Sequence, residues 1–276
     1  MKLAALFRDL ADLIFPPRCV YCQAVGSHFC RACRREARFV GDSICVRCGQ
    51  PATTRCTCYR CRHEPAQALL GMRGAVFYGG PLAFAIHAFK YRGITELARP
   101  LAGYLIAYLQ AHALPFDYLV PVPLHPQREK FRGYNQSLLL AEEVAASCHI
   151  PVRSDVIRRI RHTPPQVHLR RRERLLNMQG AFAPVQAGIL HGETVLLIDD
   201  VCTTGATLRA AAEALRQAGA GDIWGLTIAR ARPRIELQPW QKGLSATDVF
   251  LIWDGNRSRY LIGAPPDAAA IPPDPP

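Results

Sequence analysis

Short apolar runs alternate with segments of helical periodicity from about residue 70 onward. The runs that predict strands lie at 70–78, Tyr118–Pro121, Val195–Ile198 and Ile223–Ile228. The segments that predict helices lie at 81–91, 95–112, 135–146 and in the stretch that follows Thr207. Short, β-branched-rich runs of this kind are typical of strands buried on both faces. Together these elements predict an α/β core.

Both ends of the chain have a different pattern. Residues 2–14 place Leu3, Leu6, Phe7 and Leu10 on one helical face, which predicts an amphipathic helix that ends at the prolines 16 and 17. This face would either dock on the core or lie on a membrane surface, and docking is favoured because the polar face is not strongly basic. Near the other end, VFLIWDGNRSRYLIG predicts a hairpin, and the proline-rich tail after it predicts disorder.

The run Val195–Ile198 leads into the most informative stretch of the chain. Two adjacent carboxylates, Asp199 and Asp200, follow it, and a segment with helical spacing ends at Gly219. Between them lies a loop of small residues, Thr203, Thr204, Gly205, Ala206 and Thr207. This order is typical of a ligand site at the carboxyl end of a parallel strand.

The chemistry of that stretch indicates a phosphorylated ribose. Free amides at the start of a helix attract a phosphate, threonine hydroxyls add donors, and small residues let the backbone approach the ligand. The two aspartates would then face a sugar diol or its metal ion. An ordinary strand-turn-helix with solvated aspartates accounts for the acidic pair, but it accounts less well for the pair together with the loop.

Nine of the eleven cysteines lie between Cys19 and Cys61. Eight of them form C-x2-C pairs: Cys19, Cys22, Cys30, Cys33, Cys45, Cys48, Cys58 and Cys61. Tetrahedral zinc takes two such pairs, so the spacing predicts two structural zinc ions. Sequential and interleaved pairings both fit, and Cys56, His28 and His63 are candidate substitute ligands.

Composition narrows the compartment and the class of partner. The N-terminal run contains Asp9 and Asp12 and lacks a small-residue cleavage site, which argues against a signal peptide. We therefore expect a cytoplasmic protein whose cysteines bind metal and form no disulfides. The formal net charge of +12 indicates attraction to nucleic acid, a phosphorylated ligand or a membrane surface.

Two basic segments precede the acidic pair. Prolines and a glycine in PVPLHPQREKFRGYNQS predict an irregular loop that brings Arg128, Lys130 and Arg132 together. Such a loop could bind a pyrophosphate, or it could be an ordinary solvated surface loop. Residues 153–174 hold eight arginines against Asp155 and Glu173, which predicts a mobile, cation-rich loop or an exposed basic helix without a ligand.

VLLIDDVCTTGAT resembles the phosphoribosyl-pyrophosphate (PRPP) motif of type I phosphoribosyltransferases. With the cysteine pairs, the chain up to about Arg232 resembles the ComF family, which joins a double zinc ribbon to a phosphoribosyltransferase domain and is linked to DNA uptake in competent bacteria. The family's lysine-tyrosine-arginine-glycine, arginine-glycine-aromatic-asparagine and threonine-proline-proline-glutamine patterns match Lys90–Gly93, Arg132–Asn135 and Thr163–Gln166.

The resemblance implies a parallel sheet flanked by helices and a role for each site segment. Asp199 and Asp200 would bind the ribose and Mg²⁺, and residues 203–207 would bind the 5′-phosphate. Arg132, from the loop after the strand Tyr118–Pro121, would neutralise the pyrophosphate. Arg170 and Arg171 would do so from a flexible lid that closes over PRPP. For Lys90–Gly93, a phosphate contact competes with a simple helix cap.

The expected organisation is an N-terminal helix (1–17), a double zinc module (18–64), a phosphoribosyltransferase-like domain (65–232) and an extension (233–276). One hypothesis is a PRPP-binding protein that handles single-stranded DNA together with competence or DNA-uptake machinery, in the cytoplasm or at the inner face of the membrane. Another is an active phosphoribosyltransferase with an unidentified base or amine acceptor. A third is a PRPP-responsive regulator.

Overall fold

The computed structural model describes residues 16–52, 54–65, 67–163, 171–232, 250–253 and 258–261, of which 171–172 and the last two segments are described by their backbone only. The predicted helix at 2–14, the proline-rich tail and Arg170 lie outside these residues. Within the described part of the chain, no helix is both long and apolar enough to cross a membrane.

Four parallel strands form the central sheet, in the order β1-β6-β5-β2. The strands of the described chain are β1 (Gly71–Phe77), β2 (Tyr118–Pro121), β3 (Ile157–Arg159), β4 (Phe182–Pro184), β5 (Val195–Cys202), β6 (Ile223–Arg230), β7 (Phe250–Trp253) and β8 (Ser258–Leu261). The four predicted core strands are confirmed. Antiparallel pairing of β7 with β8 agrees with the predicted hairpin, whose turn is not among the described residues.

Helices cover both faces of the sheet. Those of the described chain are α1 (Arg31–Arg35), α2 (Tyr59–His63), α3 (Gly80–Tyr91), α4 (Ala98–Ala111, after a 3-10 turn at Thr95–Leu97), α5 (Pro126–Arg132), α6 (Gln136–Cys148), α7 (Arg171–Met178) and α8 (Ala206–Gln217). The result is the expected α/β fold, a parallel sheet flanked by helices.

Successive side chains of β5 point to opposite faces of the sheet and so belong to two separate halves of the core. Leu196 and Ile198 pack with α3, α4 and α6, whereas Val195 and Leu197 pack with α8 and the antiparallel pair β3–β4. The cysteine-rich module contributes to both sides. Cys19 and Cys33 belong to the first cluster, and Cys45, Cys48 and Cys61 belong to the second. The module's two halves therefore pack on opposite faces of one sheet.

Two sequence predictions of irregular structure are wrong in part. The segment after β2 contains the helix α5, because Pro126 lies at its first turn, the His125 ring accepts the Gln127 amide at 3.3 Å, and Gly133 ends it with a φ of 86°. The basic segment 153–174 contains β3, which pairs with β4, and the start of α7.

Two phenylalanines of α3 test this arrangement. Phe89 is fully buried at 0% exposure, whereas Phe84 is 56% exposed. We expect Phe89→Ala to lower the free energy of unfolding by about 3–5 kcal/mol, because it leaves a cavity under the sheet. Phe84→Ala should change it by less than about 1 kcal/mol. Urea unfolding of zinc-loaded protein, followed by circular dichroism, measures both, and equal losses would contradict the packing.

Candidate functional site

The acidic pair lies near the carboxyl end of β5, a strand flanked by β6 and β2. Both side chains are buried, Asp199 at 8% and Asp200 at 3% exposure. The Ser137 hydroxyl donates to Asp199 Oδ1 at 3.1 Å, and the Asp200 amide donates to the same oxygen at 2.9 Å. Lys90 Nζ lies 2.7 Å from Asp200 Oδ1. Side chains from α3 and α6 therefore hold the two carboxylates in place.

Burial and mutual repulsion alter the protonation of this cluster. Burial, followed by the neighbouring charge of Asp200, raises the pKa of Asp199 from 3.8 to about 7. Burial opposes the charged form of Lys90, but Asp200 outweighs it and raises the Lys90 pKa. Near neutral pH, Asp199 is thus close to its titration midpoint while Lys90 stays protonated beside Asp200.

Asp200 retains an oxygen that accepts no hydrogen bond from the residues that the structure describes. This atom, Oδ2, is buried. A buried carboxylate oxygen without a partner is costly. A hydroxyl group or a hard cation such as Mg²⁺ would satisfy it, because both bind carboxylate oxygen. The acidic pair therefore fits the predicted ribose and magnesium contact.

The predicted phosphate loop, Thr203–Thr207, runs from the end of β5 into the first turn of α8. Gly205 has a left-handed φ of 78°, which favours glycine, and a Cβ there would overlap the Met72 sulfur, so the Met72 side chain would have to move. Thr204 Oγ1 accepts the Ala206 amide at 3.3 Å, and Arg174 Nη1 donates to Thr203 Oγ1 at 3.0 Å. The threonine hydroxyls thus help to shape the loop and bring an arginine of α7 to it.

The Arg132–Asn135 motif proves to have structural contacts. The Arg132 guanidinium donates to Gln136 Oε1 and lies over the Tyr91 ring at 5.4 Å. Asn135 caps α6 by accepting the Ser137 amide at 3.0 Å, and it donates to the Val122 carbonyl at 3.2 Å. The motif therefore positions Ser137 against Asp199. Arg171 is the first residue of α7.

Two further cations, Lys90 and Arg159, also lie in this region. Lys90, for which a cap and a phosphate contact were both open, pairs with Asp200. Arg159 is buried, donates to Thr163 Oγ1 at 2.6 Å and has a partnerless Nε among the described residues. Burial, then the nearby Arg128, lowers its pKa to about 10.

Only some of these residues had a sequence signal. Lys90 and Thr163 lie in the matched family patterns, and Arg128 and Arg174 belong to the basic segments. Ser137 had none, because a lone serine in the first turn of a helix is ordinary. Its role follows from the packing of α6 against β5.

The cysteines form two separate groups. Cys19, Cys22, Cys30 and Cys33 converge in one, and Cys45, Cys48, Cys58 and Cys61 converge in the other, with the sulfurs of each group within 4.8 Å of one another. Tetrahedral zinc with Zn–S bonds of about 2.3 Å separates sulfurs by about 3.8 Å. The Cys48–Cys58 pair, at 3.9 Å, and the Cys22–Cys30 pair, at 3.5 Å, agree with this.

The sequential pairing is therefore the one that the structure adopts. We name the two groups the first knuckle (residues 19–33) and the second knuckle (residues 45–61). Cys56 is exposed and belongs to neither group, and His28 and His63 are not ligands of either. His63 Nδ1 instead lies 2.7 Å from the Tyr59 carbonyl oxygen.

Comparison with known proteins matches both parts of the chain. The double zinc ribbon domain family matches residues 10–62, and the phosphoribosyl transferase domain family matches residues 135–244. A DNA utilization protein YhgH of Escherichia coli O157:H7 is 34% identical over 70% of this chain and 86% of its own length. Competence protein F of Haemophilus influenzae is 30% identical over 77% of this chain and 97% of its own length.

Two further similarities are weaker. Competence protein ComFC of Bacillus subtilis is 29% identical, over 73% of this chain and 84% of that protein. Among solved structures, an adenine phosphoribosyltransferase is 16% identical over 65% of this chain and 87% of its own, with a TM-score of 0.32. At that TM-score the superposition supports no statement about the site.

The raised pKa of Asp199 predicts a pH dependence of stability. In the unfolded chain this carboxyl returns to its ordinary pKa of 3.8, so between pH 4 and pH 7 the folded state keeps a proton that the unfolded state releases. The contribution is fully present below about pH 4 and is lost as pH rises through about 7. We expect Asp199→Asn, which still accepts from Ser137, to gain thermal stability relative to wild type at pH 8 but not at pH 4.

Thermal unfolding of the ligand-free, zinc-loaded protein at both pH values is the measurement. Asp155→Asn is the matched control, because the hydrogen bond from Arg153 lowers the pKa of that exposed carboxyl. Its effect should have the opposite sign. A stability difference between Asp199→Asn and wild type that does not change with pH would contradict the assignment.

Proposed function

Because this chain belongs to the ComF family, which joins a double zinc ribbon to a phosphoribosyltransferase domain, we propose that it binds PRPP with Mg²⁺ and takes part in handling single-stranded DNA during natural transformation. The relatives named competence protein F and DNA utilization protein support the second part. The site at the end of β5 supports the first. We place this activity in the cytoplasm, because the reducing conditions there keep thiols free to bind zinc.

PRPP binding is supported best by Asp200 Oδ2, which has no partner within the described part of the chain and is followed by the glycine-centred loop. In our proposal Asp199 and Asp200 bind the ribose diol, and Thr203–Thr207 bind the 5′-phosphate through amides at the start of α8. Bound Mg²⁺ would offset the phosphate charge. Lys90 would keep one oxygen of Asp200 occupied, so that the other is directed to the ligand.

The pyrophosphate requires cations from the remaining sides. Arg132 and Arg171, with Arg170, remain our candidates for this role. We add Arg159 and Arg174 to these candidates and keep Arg128 from the basic segment after β2. Arg128 and Arg159 both donate hydrogen bonds to Thr163, and Arg174 contacts the phosphate loop. Guanidinium groups suit phosphate oxygens because they donate paired hydrogen bonds.

Handling of DNA is favoured by a row of rings on α3. Its exposed positions include Phe84, His87 and Tyr91, three or four residues apart and hence on one side of the helix. Tyr21 of the first knuckle meets Phe84 edge to face at 5.1 Å, and the His87 and Tyr91 rings are 4.9 Å apart. We call these four residues the aromatic ridge.

Charge around the aromatic ridge suits a polyanion. Helix α3 contains no aspartate or glutamate. Two exposed arginines lie nearby in the chain: Arg18 directly precedes the first knuckle, which contains Tyr21, and Arg92 directly follows α3. At its end, Arg132 lies over Tyr91, and the adjacent Phe131 is 94% exposed. Stacking rings beside cations are what single-stranded nucleic acid binds without sequence preference. We therefore propose the ridge as the contact for the strand.

Two structural zinc ions complete the proposal, one in each knuckle. Each knuckle offers four sulfurs, which close the coordination shell and leave no position for catalysis. The metals would thus stabilise the module, and the first knuckle would hold Tyr21 on the aromatic ridge.

Removal of the acidic pair tests the ligand site. We expect Asp199→Asn/Asp200→Asn to abolish Mg²⁺-dependent PRPP binding in titration calorimetry, because both ribose contacts are lost. Glu142→Gln/Glu143→Gln, on the middle of α6, is a matched control that should bind as wild type does. If zinc-loaded wild type releases no heat with PRPP and Mg²⁺, the PRPP proposal fails. Pyrophosphate release with a panel of nucleobases and amines would show the enzymatic alternative.

Loss of two rings tests the aromatic ridge. Phe84→Ala/His87→Ala should weaken binding of a fluorescent oligothymidine by about tenfold or more, since stacking contributes about 1–3 kcal/mol per base. Affinity of the wild type should also fall steeply with salt, because phosphate contacts release counterions. Tyr59→Ala, an exposed ring 59% accessible on the second knuckle, is the control. Equal weakening by that control, or a flat salt response, would count against the ridge.

A further inference from the structure

We propose that Glu64 and Arg209 are positioning residues that connect the second knuckle to the phosphate loop, so that metal bound in this knuckle sets the affinity of the loop for a phosphate. The inference rests on the proposed PRPP site and adds its regulation. It is carried by a continuous row of polar contacts from a cysteine sulfur to the start of α8.

The row begins at the metal site. Arg60 Nη2 donates to Cys48 Sγ at 3.4 Å. The same guanidinium places its Nε 3.6 Å from Glu64 Oε1, one helical turn further along the chain. Four thiolates and one Zn²⁺ carry a net charge of about −2, which attracts a guanidinium at this position. Arg60 is thus shared between the metal site and Glu64.

The row continues to the phosphate loop. Glu64 Oε2 lies 2.9 Å from Arg209 Nη1, and Gln67 Nε2 donates to the same carboxylate oxygen at 3.1 Å. Arg209 lies in the first turn of α8, where its amide donates to the Gly205 carbonyl at 3.0 Å. The side chains of Glu64 and Arg209 are only 23% and 13% exposed, so solvent screens this pair less than a surface pair.

A packing contact joins the same two sites independently. The Met72 sulfur lies against Gly205, where it would overlap an added Cβ. The Met72 amide donates to the carbonyl of Arg47 at 2.8 Å, and the Arg47 guanidinium in turn donates to the Cys61 carbonyl. Arg47 itself lies between two ligands, Cys45 and Cys48. The second knuckle therefore contacts the phosphate loop by two routes, through Glu64 and through Met72.

The first knuckle offers an internal comparison. Its cysteines pack on the opposite face of the sheet, with α3 and α4. Metal in that knuckle should affect the aromatic ridge and not the phosphate loop. The asymmetry gives the two zinc sites different roles, although their ligands are the same.

Glu64→Gln tests the connection with little change in shape. We expect two zinc ions per chain to remain, while ribose 5-phosphate and PRPP with Mg²⁺ bind about fivefold more weakly, within the usual range for coupled sites. Backbone amides in peptides that cover residues 203–209 should exchange hydrogen faster. Calorimetry, metal analysis and hydrogen exchange by mass spectrometry give the three readouts.

Arg209→Gln and the double variant show whether the pair acts as a unit. If it does, Glu64→Gln/Arg209→Gln should bind ribose 5-phosphate no more weakly than either single variant. Asp155→Asn, which removes the charge of an ion-paired carboxylate elsewhere, is the matched control and should change neither affinity nor exchange.

Two results would overturn the proposal. One is a zinc-loaded Glu64→Gln protein with unchanged exchange in residues 203–209, and the other is strict additivity of the two single variants. If wild type binds neither phosphate ligand, the proposed function fails by itself. Hydrogen exchange then still decides whether the second knuckle holds the loop.

Discussion

Two adjacent carboxylates buried near the end of a parallel strand constrain the rest of this structure. Charges in a low-dielectric site are costly unless cations and hydrogen bonds compensate them. Here Lys90 compensates Asp200, and Ser137 with a backbone amide compensates Asp199. These partners come from α3 and α6, which therefore have to pack on the same face of the sheet. A protein selected for stability alone would have little reason to keep such a pair, and this supports the ligand site that we propose.

The same constraint explains why neighbouring motifs have structural contacts. Asn135 caps α6 and thereby fixes Ser137, and the Tyr134 hydroxyl donates to the Phe89 carbonyl, which ties the start of α6 to α3. Sequence patterns that suggest direct ligand contacts thus also hold the elements that carry the site. The zinc knuckles extend this principle, because each packs on one face of the sheet and the second is connected to Gly205 through Met72.

Sequence reasoning succeeded where local chemistry decides the structure. The apolar runs predicted the core strands because a buried parallel strand is apolar on both faces, and the cysteine spacing predicted two four-sulfur groups because tetrahedral zinc needs two pairs. It failed at Pro126–Arg132, where prolines and a glycine indicated a loop. In the structure Pro126 starts a short helix and Gly133 ends it. A proline is tolerated at the start of a helix and a glycine at its end, so these residues did not exclude a helix between them.

The sequence by itself determined the α/β class, the glycine-centred loop after Asp199 and Asp200, and the number of four-sulfur groups, since each depends on residues close together in the chain. Only the tertiary structure decided which cysteine pairs join, that Lys90 faces Asp200, and that Glu64 meets Arg209, 145 residues away. These contacts depend on how helices and knuckles pack against the sheet. Such packing is set by shape and burial across the whole domain, and no local pattern encodes it.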